Sequence, residues 1–331
     1  MKISLPSQLR LVSDRELISD LENRMEAVEA AIAQATSHTE PLINSMSSHL
    51  AKAGGKRLRP VLTLLTSRLG ESQNQDVIDA AVVMEITHLA TLYHDDVMDQ
   101  ASKRRGVDTA HLVWNNNVAI LTGDLLFARA SNIVSSLGVD ALKLQAKVFE
   151  QLVLGQLHET VGPTSGQAPI DHYIQVLRDK TGSLIALSAQ MGALLSGADA
   201  AYQEPLKQFG EKIGIAFQLI DDIIDIQSTK EQSGKVAGTD LLAGVPTLPV
   251  LLLANRDDES SASLLVEIEN LTEDKLPEVL AKLRQHDVMA EAMEITQGWA
   301  QSAIEALEPL PTSSVKAALT AFAKAVVDRK G

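Results

Sequence analysis

The sequence predicts an all-α protein. Apolar residues recur at helical spacing along nearly the whole chain, alternating β-branched runs between tight turns are absent, and glycine and proline fall in short breaks between periodic stretches. In chain order, residues 17–36 read as a charged amphipathic helix. Helical periodicity follows over residues 57–69, 76–99, 119–137, 139–155, 183–195, 204–226 and 245–255, and polar-faced helices continue to residue 327. The breaks fall at Gly54-Gly55, Gly162-Pro163, residues 165–169, Gly234, Gly238 and Gly244. They read as loops within one helical domain spanning residues 1–331, with no repeat at solenoid period.

Composition narrows the function. A chain of 331 residues with 45% hydrophobic and 22% charged residues can bury a large core. Its net charge of −14 argues against a nucleic-acid binder and against docking on anionic lipid through a basic patch. The lack of cysteine excludes disulfides, zinc–thiolate sites and thiol catalysis. Residues 1–20 contain Asp14, Glu16 and Asp20 and show no apolar signal core. No apolar run of membrane-spanning length stands out; residues 245–254 come nearest and are interrupted by Pro246 and Pro249. A soluble, cytoplasmic protein without stable membrane insertion is expected. Should its substrate be anionic, so acidic a chain must concentrate its cations locally or recruit metal.

Two motifs decide the chemistry. Asp95-Asp96-Val97-Met98-Asp99 and Asp221-Asp222-Ile223-Ile224-Asp225 both read DDxxD, each at the end of a long apolar helical stretch. Positions i and i+4 share a helix face, so Asp95 aligns with Asp99 and Asp221 with Asp225. Carboxylates crowded at a helix C-terminus repel one another and oppose the helix dipole, an arrangement that divalent cations relieve. Open sets of hard oxygen donors suit Mg²⁺, which keeps waters and shares substrate phosphates. One such box could be a solvated helix end; two, both flanked by apolar residues, point to metal.

Basic segments accompany them. Gly54-Gly55-Lys56-Arg57-Leu58-Arg59-Pro60 sets a flexible loop before a helix N-terminus, where amides and fixed cations favour anions. Lys103-Arg104-Arg105-Gly106 follows the first box and could simply pair with it. Lys180-Thr181-Gly182 and Gly234-Lys235 are unremarkable singly.

Taken in order, GGKRLRP, a histidine seven residues before DDxxD, RRG, KTG, FQLIDD and GKxxGxDL resemble the trans-isoprenyl (polyprenyl) diphosphate synthase family over roughly residues 45–250. The resemblance implies the isoprenoid synthase fold, an antiparallel helical barrel around a central cavity with the two boxes facing across its mouth, in a homodimer. It implies condensation of an allylic diphosphate with isopentenyl diphosphate, giving a trans-polyprenyl diphosphate and free diphosphate. Asp95, Asp96 and Asp99 would hold two Mg²⁺ on the allylic diphosphate. Asp221 and Asp225, with Asp222 between them, would hold a third. Arg104, Lys180 and Lys235 would grip the same diphosphate, and Lys56, Arg59, His88 and Arg105 the isopentenyl diphosphate. Thr181 and Gln218 would flank the reacting carbon. Three Mg²⁺ and these six lysines and arginines roughly balance six aspartates and two diphosphates. No enzyme nucleophile is implied, and the released diphosphate is the favoured proton acceptor.

Product length is read from the positions four and five residues before the first box. Thr91 and Ala90 are small, as in bacterial long-chain synthases, so products of thirty carbons or more are expected. Phe127 is a candidate deeper floor. Where many relatives read GKxTLP this chain has Gly244-Val245-Pro246-Thr247-Leu248-Pro249, and Val245 is not placed in the site. A class I terpene synthase would not need Lys56, Arg59 and a second DDxxD, and a non-catalytic partner subunit would be expected to lose one box.

Overall fold

The computed structural model describes residues 14–71, 74–227 and 237–328. Helices account for almost all of the regular structure. The chain divides into two compact units. The first draws on residues up to Phe149, Leu184–Lys207 and Pro309–Ala321; the second on Glu150–Ser183, Gln208–Glu308 and residues from Phe322 on.

In the first unit, α1 (Arg15–Ala35) starts at Asp14, whose side chain accepts the Leu17 N–H at 2.9 Å. Its apolar stripe Leu17, Leu21, Met25, Val28 and Ile32 is buried. Helix α2 (Pro41–Lys52) follows, outside the helices expected from periodicity. Only Leu50 among its apolar residues is buried, so it carries little apolar stripe to recognise. Helices α3 (Leu58–Ser67) and α4 (Gln75–Met98) are apolar on most faces because both are enclosed. Helix α4 packs on α1, α3 and α6 (Asn116–Ser135). Tyr93 ties α4 to α2: its hydroxyl donates to the Met46 carbonyl at 2.6 Å and accepts the Leu50 N–H at 3.3 Å.

Between α4 and α6 lies a hairpin of β1 (Lys103–Arg104) and β2 (Val107–Asp108), absent from the sequence expectation. Its turn residues Arg105 (φ 53°) and Gly106 (φ 81°) are both left-handed, the geometry of a tight two-residue hairpin. A four-residue helix, α5 (Ala110–Val113), leads on to α6. By length and composition α6 is apolar enough to cross a membrane, an exception to the sequence expectation. Ala119, Thr122, Gly123, Leu126, Ala130 and Val134 on it are buried, while Ile120 and Leu121 are exposed.

Helix α7 (Val139–Val161) extends beyond the expected residue 155 because Gly155 lies inside the helix. A Cβ there would come within 2.9 Å of the Lys180 backbone nitrogen. In the second unit α8 (Pro169–Leu177) passes without interruption into a π-helical turn, Arg178–Gly182. Helix α9 (Ser183–Leu195), part of the first unit from Leu184 on, has the expected bounds. Helix α10 (Gln203–Gln227), which lies in the second unit from Gln208 on, extends the expected span by one residue at each end. The helix expected from residue 245 begins at Leu248, with Pro249 in its first turn and Thr247 as cap. Arg284 caps the end of α10, its Nε donating to the Ile226 carbonyl at 2.7 Å.

Candidate active site

The first box ends α4. Asp95 is half-buried, Asp99 is the exposed C-cap, and Asp96 is 1% exposed. With no basic residue in the last turn, the helix itself leaves these carboxylates uncompensated. The hairpin supplies the compensation: Arg104 Nε donates to Asp96 Oδ1 at 2.7 Å. Asp96 Oδ2 is buried with no hydrogen-bond partner. Burial pushes the Asp96 carboxyl above the usual range, with Arg104 working against it. The pairing of basic cluster and box that the sequence left open is therefore made by Arg104 but not by Arg105.

Consecutive on a tight turn, Arg105 points elsewhere. It donates to the Leu50 and Gly54 carbonyls and to Glu85 Oε1. Gly54 (φ 90°) and Gly55 (φ 146°) bring the preceding loop close enough that a Cβ on Gly55 would sit 2.8 Å from Arg105 Cζ. Arg57, at φ 50°, begins α3. Lys56 is exposed. Burial holds the Arg59 guanidinium at about 10, still charged at neutral pH, and its Nε has no hydrogen-bond partner. His88 lies in the field of Arg59, Arg105, Arg104 and Arg57; burial first and these cations next hold it well below its ordinary value, so it is neutral at pH 7. The structure thus collects Arg59, His88, Arg104 and Arg105 into one charged cluster in the first unit.

The second box lies in the last two turns of α10. Asp222 is buried, and its Oδ2 accepts the Tyr173 hydroxyl and, at 3.3 Å, the Leu248 N–H. Burial raises its carboxyl to about 7 against both hydrogen bonds. Asp225 accepts from Thr239 Oγ1 at 3.1 Å and from the Asp240 N–H at 3.2 Å. Asp221 and Gln218 are half-buried on the same helix. Lys180 lies within the π turn beside half-buried Thr181 and contacts Glu159 at 2.5 Å. Asp179, also in that turn, accepts from Gln151 at 2.7 Å and Gln175 at 2.6 Å. Val245 is exposed, and Lys235 lies outside the described residues.

In both boxes the middle aspartate turns inward to a protein partner, while the first and last are less buried. Among the described residues no three carboxylates or imidazoles converge into a closed metal cage. Open rows of hard oxygens, with Asp96 Oδ2 buried and unpartnered, fit Mg²⁺ completed by water and phosphate rather than a cation held by protein alone. Sequence reasoning missed Glu85 and Tyr173. Glu85 could have been found as a carboxylate in an apolar run three residues before His88, hence on its helix face. Tyr173 carries no comparable signal.

Helices bearing two acidic boxes and a half-buried group of arginines around a neutral histidine suit a protein that handles diphosphates. The family described as polyprenyl synthetase matches residues 40–285, and the chain belongs to that family. Nonaprenyl diphosphate synthase of Mycobacterium tuberculosis is 42% identical over 86% of this chain and 85% of its own. Two solved structures share the all-α fold. One is geranylgeranyl pyrophosphate synthase of Corynebacterium glutamicum complexed with calcium and isoprenyl diphosphate, 41% identical, with a TM-score of 0.85 over 97% of this chain and 99% of that one. The other is a decaprenyl diphosphate synthase of Rhodobacter capsulatus, 30% identical, with a TM-score of 0.86 over 96% and 99%.

Proposed function

We propose that the chain, residues 1–331 acting as one catalytic domain, condenses an allylic diphosphate with isopentenyl diphosphate. The product is a trans-polyprenyl diphosphate of thirty carbons or more. The observation that carries this reading is the arginine cluster around His88. Arg59 keeps a buried donor without a partner and half-buried Arg105 lies in the same group, as a diphosphate site distinct from the acidic boxes requires. A terpene synthase, which takes one diphosphate, has no use for it. The long product is supported by small Ala90 and Thr91 before the first box and by the nonaprenyl and decaprenyl relatives.

Asp95, Asp96 and Asp99 are assigned to two Mg²⁺ and Asp221 and Asp225 to a third; Asp222, bonded to Tyr173, orients the second box. When bound, Mg²⁺ neutralises charge on the departing diphosphate. Arg104, Lys180 and Lys235 are assigned to that group, stabilising charge as the allylic C–O bond breaks. Lys56, Arg59, His88 and Arg105 hold the isopentenyl diphosphate, with neutral His88 donating one N–H. Thr181 and Gln218 flank the allylic carbon. Attack by the isopentenyl double bond forms the new C–C bond, and the lost proton passes to the released diphosphate.

Homodimerisation is part of the same reading. Leu112 (58% exposed), Val113, Ile120 and Leu121 (65% exposed) leave an apolar surface on α5 and the start of α6, which a second copy would cover in the cytoplasm. The test is incubation of purified protein with labelled isopentenyl diphosphate and starters of ten, fifteen and twenty carbons, with products sized chromatographically. Products of thirty carbons or more support the proposal; cyclised hydrocarbons or no elongation overturn it.

A further inference from the structure

Glu85 is 2% exposed, in a stretch of α4 whose neighbours Val82, Val83, Met84 and Ile86 are all buried and apolar. A carboxylate in such a place is costly unless paired and hydrogen-bonded. Its Oε1 accepts from Arg57 Nη1 at 2.7 Å and from Arg105 Nη2 at 3.3 Å. These guanidiniums arrive from different segments, one at the start of α3 and one from the hairpin turn. Arg57 is fully engaged: Nε donates to Glu29 Oε1 at 2.5 Å, and its Nη atoms also reach the Ala51 and Gly54 carbonyls at 3.1 and 3.3 Å. Arg105 grips the same Gly54 carbonyl and lies against Gly55. One carboxylate therefore stands between two like charges, and both of those charges hold the glycine loop that precedes Lys56. Remove it, and Arg57 and Arg105 repel with the loop between them.

We propose that Glu85 is a positioning residue for isopentenyl diphosphate: by joining Arg57 to Arg105 it sets the pose of the Gly54–Lys56 loop and of Arg105 toward that substrate. The inference rests on the assignment of Lys56, Arg59 and Arg105 to isopentenyl diphosphate. It gives Arg57, which the sequence left without a role, the part of a strut rather than a ligand, with Glu29 bracing it from α1.

The experiment is steady-state kinetics on Glu85→Gln, Glu85→Asp and Arg59→Ala, each substrate varied separately, with thermal melts of all three. Glu85→Gln keeps the shape and removes the charge; it is expected to raise KM for isopentenyl diphosphate about tenfold or more while KM for the allylic diphosphate stays within about twofold. Glu85→Asp, which keeps the charge but falls short of one arginine, is expected to raise it about threefold. If Glu85→Gln does not fold at assay temperature, Glu85→Asp carries the test alone. A folded variant that leaves this KM unchanged, or raises both together, overturns the positioning role while Arg59→Ala still raises it. An unchanged KM in Arg59→Ala would instead remove the binding assignment, and the inference with it.

Discussion

Asp222 shows what one aspartate can do that its motif does not reveal. Within DDxxD it looks like its neighbours, yet it is buried and accepts hydrogen bonds from Tyr173 and the Leu248 N–H. Burial raises its carboxyl from 3.8 to about 7. Between those values the folded state holds a proton that the unfolded state has lost, so stability falls as pH rises through the window. Asp222→Asn keeps an acceptor for both donors and cannot titrate. Thermal melts in metal-free buffer should therefore show wild type losing several degrees more than the variant between about pH 4 and 7. Parallel curves would mean an ordinary carboxyl. Asp95 and Asp221 call for the opposite result. Asp95→Ala or Asp221→Ala should reduce turnover about a hundredfold or more with little change in melting temperature, because truncating a partly exposed carboxylate creates no core cavity.

At the scale of elements, α4 carries the product-length hypothesis and α9 the packing. Thr91, half-buried, lies about 6 Å of helix rise before Asp95 at ~1.5 Å per residue, roughly one isoprene unit. Ala90 is fully buried. Thr91→Phe should shift products toward fifteen or twenty carbons without loss of folding. Ala90→Phe should lower stability by about 1–3 kcal/mol through overpacking, whatever it does to product length. Chromatography beside melting curves separates the two, and an unchanged product from folded Thr91→Phe would move the floor to Phe127, which packs on Phe149 with ring centroids 4.5 Å apart. On α9, a Cβ at Gly192 would come 2.0 Å from the Thr63 carbonyl oxygen. Gly192→Ala must therefore push α9 off α3, and it should cost about 2 kcal/mol or more in denaturant unfolding despite the better helix propensity of alanine.

For the whole molecule, net charge and surface set two expectations. A chain of charge −14 that binds two diphosphates needs added cations, so EDTA should abolish condensation and Mg²⁺ restore it. Full activity in metal-free buffer would refute the mechanism. Leu121→Glu, at a 65% exposed position, should leave the monomer folded and halve the mass measured by analytical ultracentrifugation if α6 is where two copies meet.

The sequence by itself determined the fold class, the family and the spans of most of the long helices, α7 running six residues past its expected end. Helical periodicity is a local property, and α9 and α10 were read to within one residue at each end. Both boxes and the arginines were legible for the same reason, since a motif is a run of neighbours. Tertiary structure alone decided where those side chains point. Adjacent Arg104 and Arg105 part because a left-handed turn lies between strand and loop, sending one to Asp96 and the other to Glu85. Tyr173 reaches Asp222 across forty-nine residues. Glu85 meets Arg57 across twenty-eight. Such pairings are fixed by helix packing and by the cost of leaving a buried charge alone, and neither is written in the residues on either side of the charge.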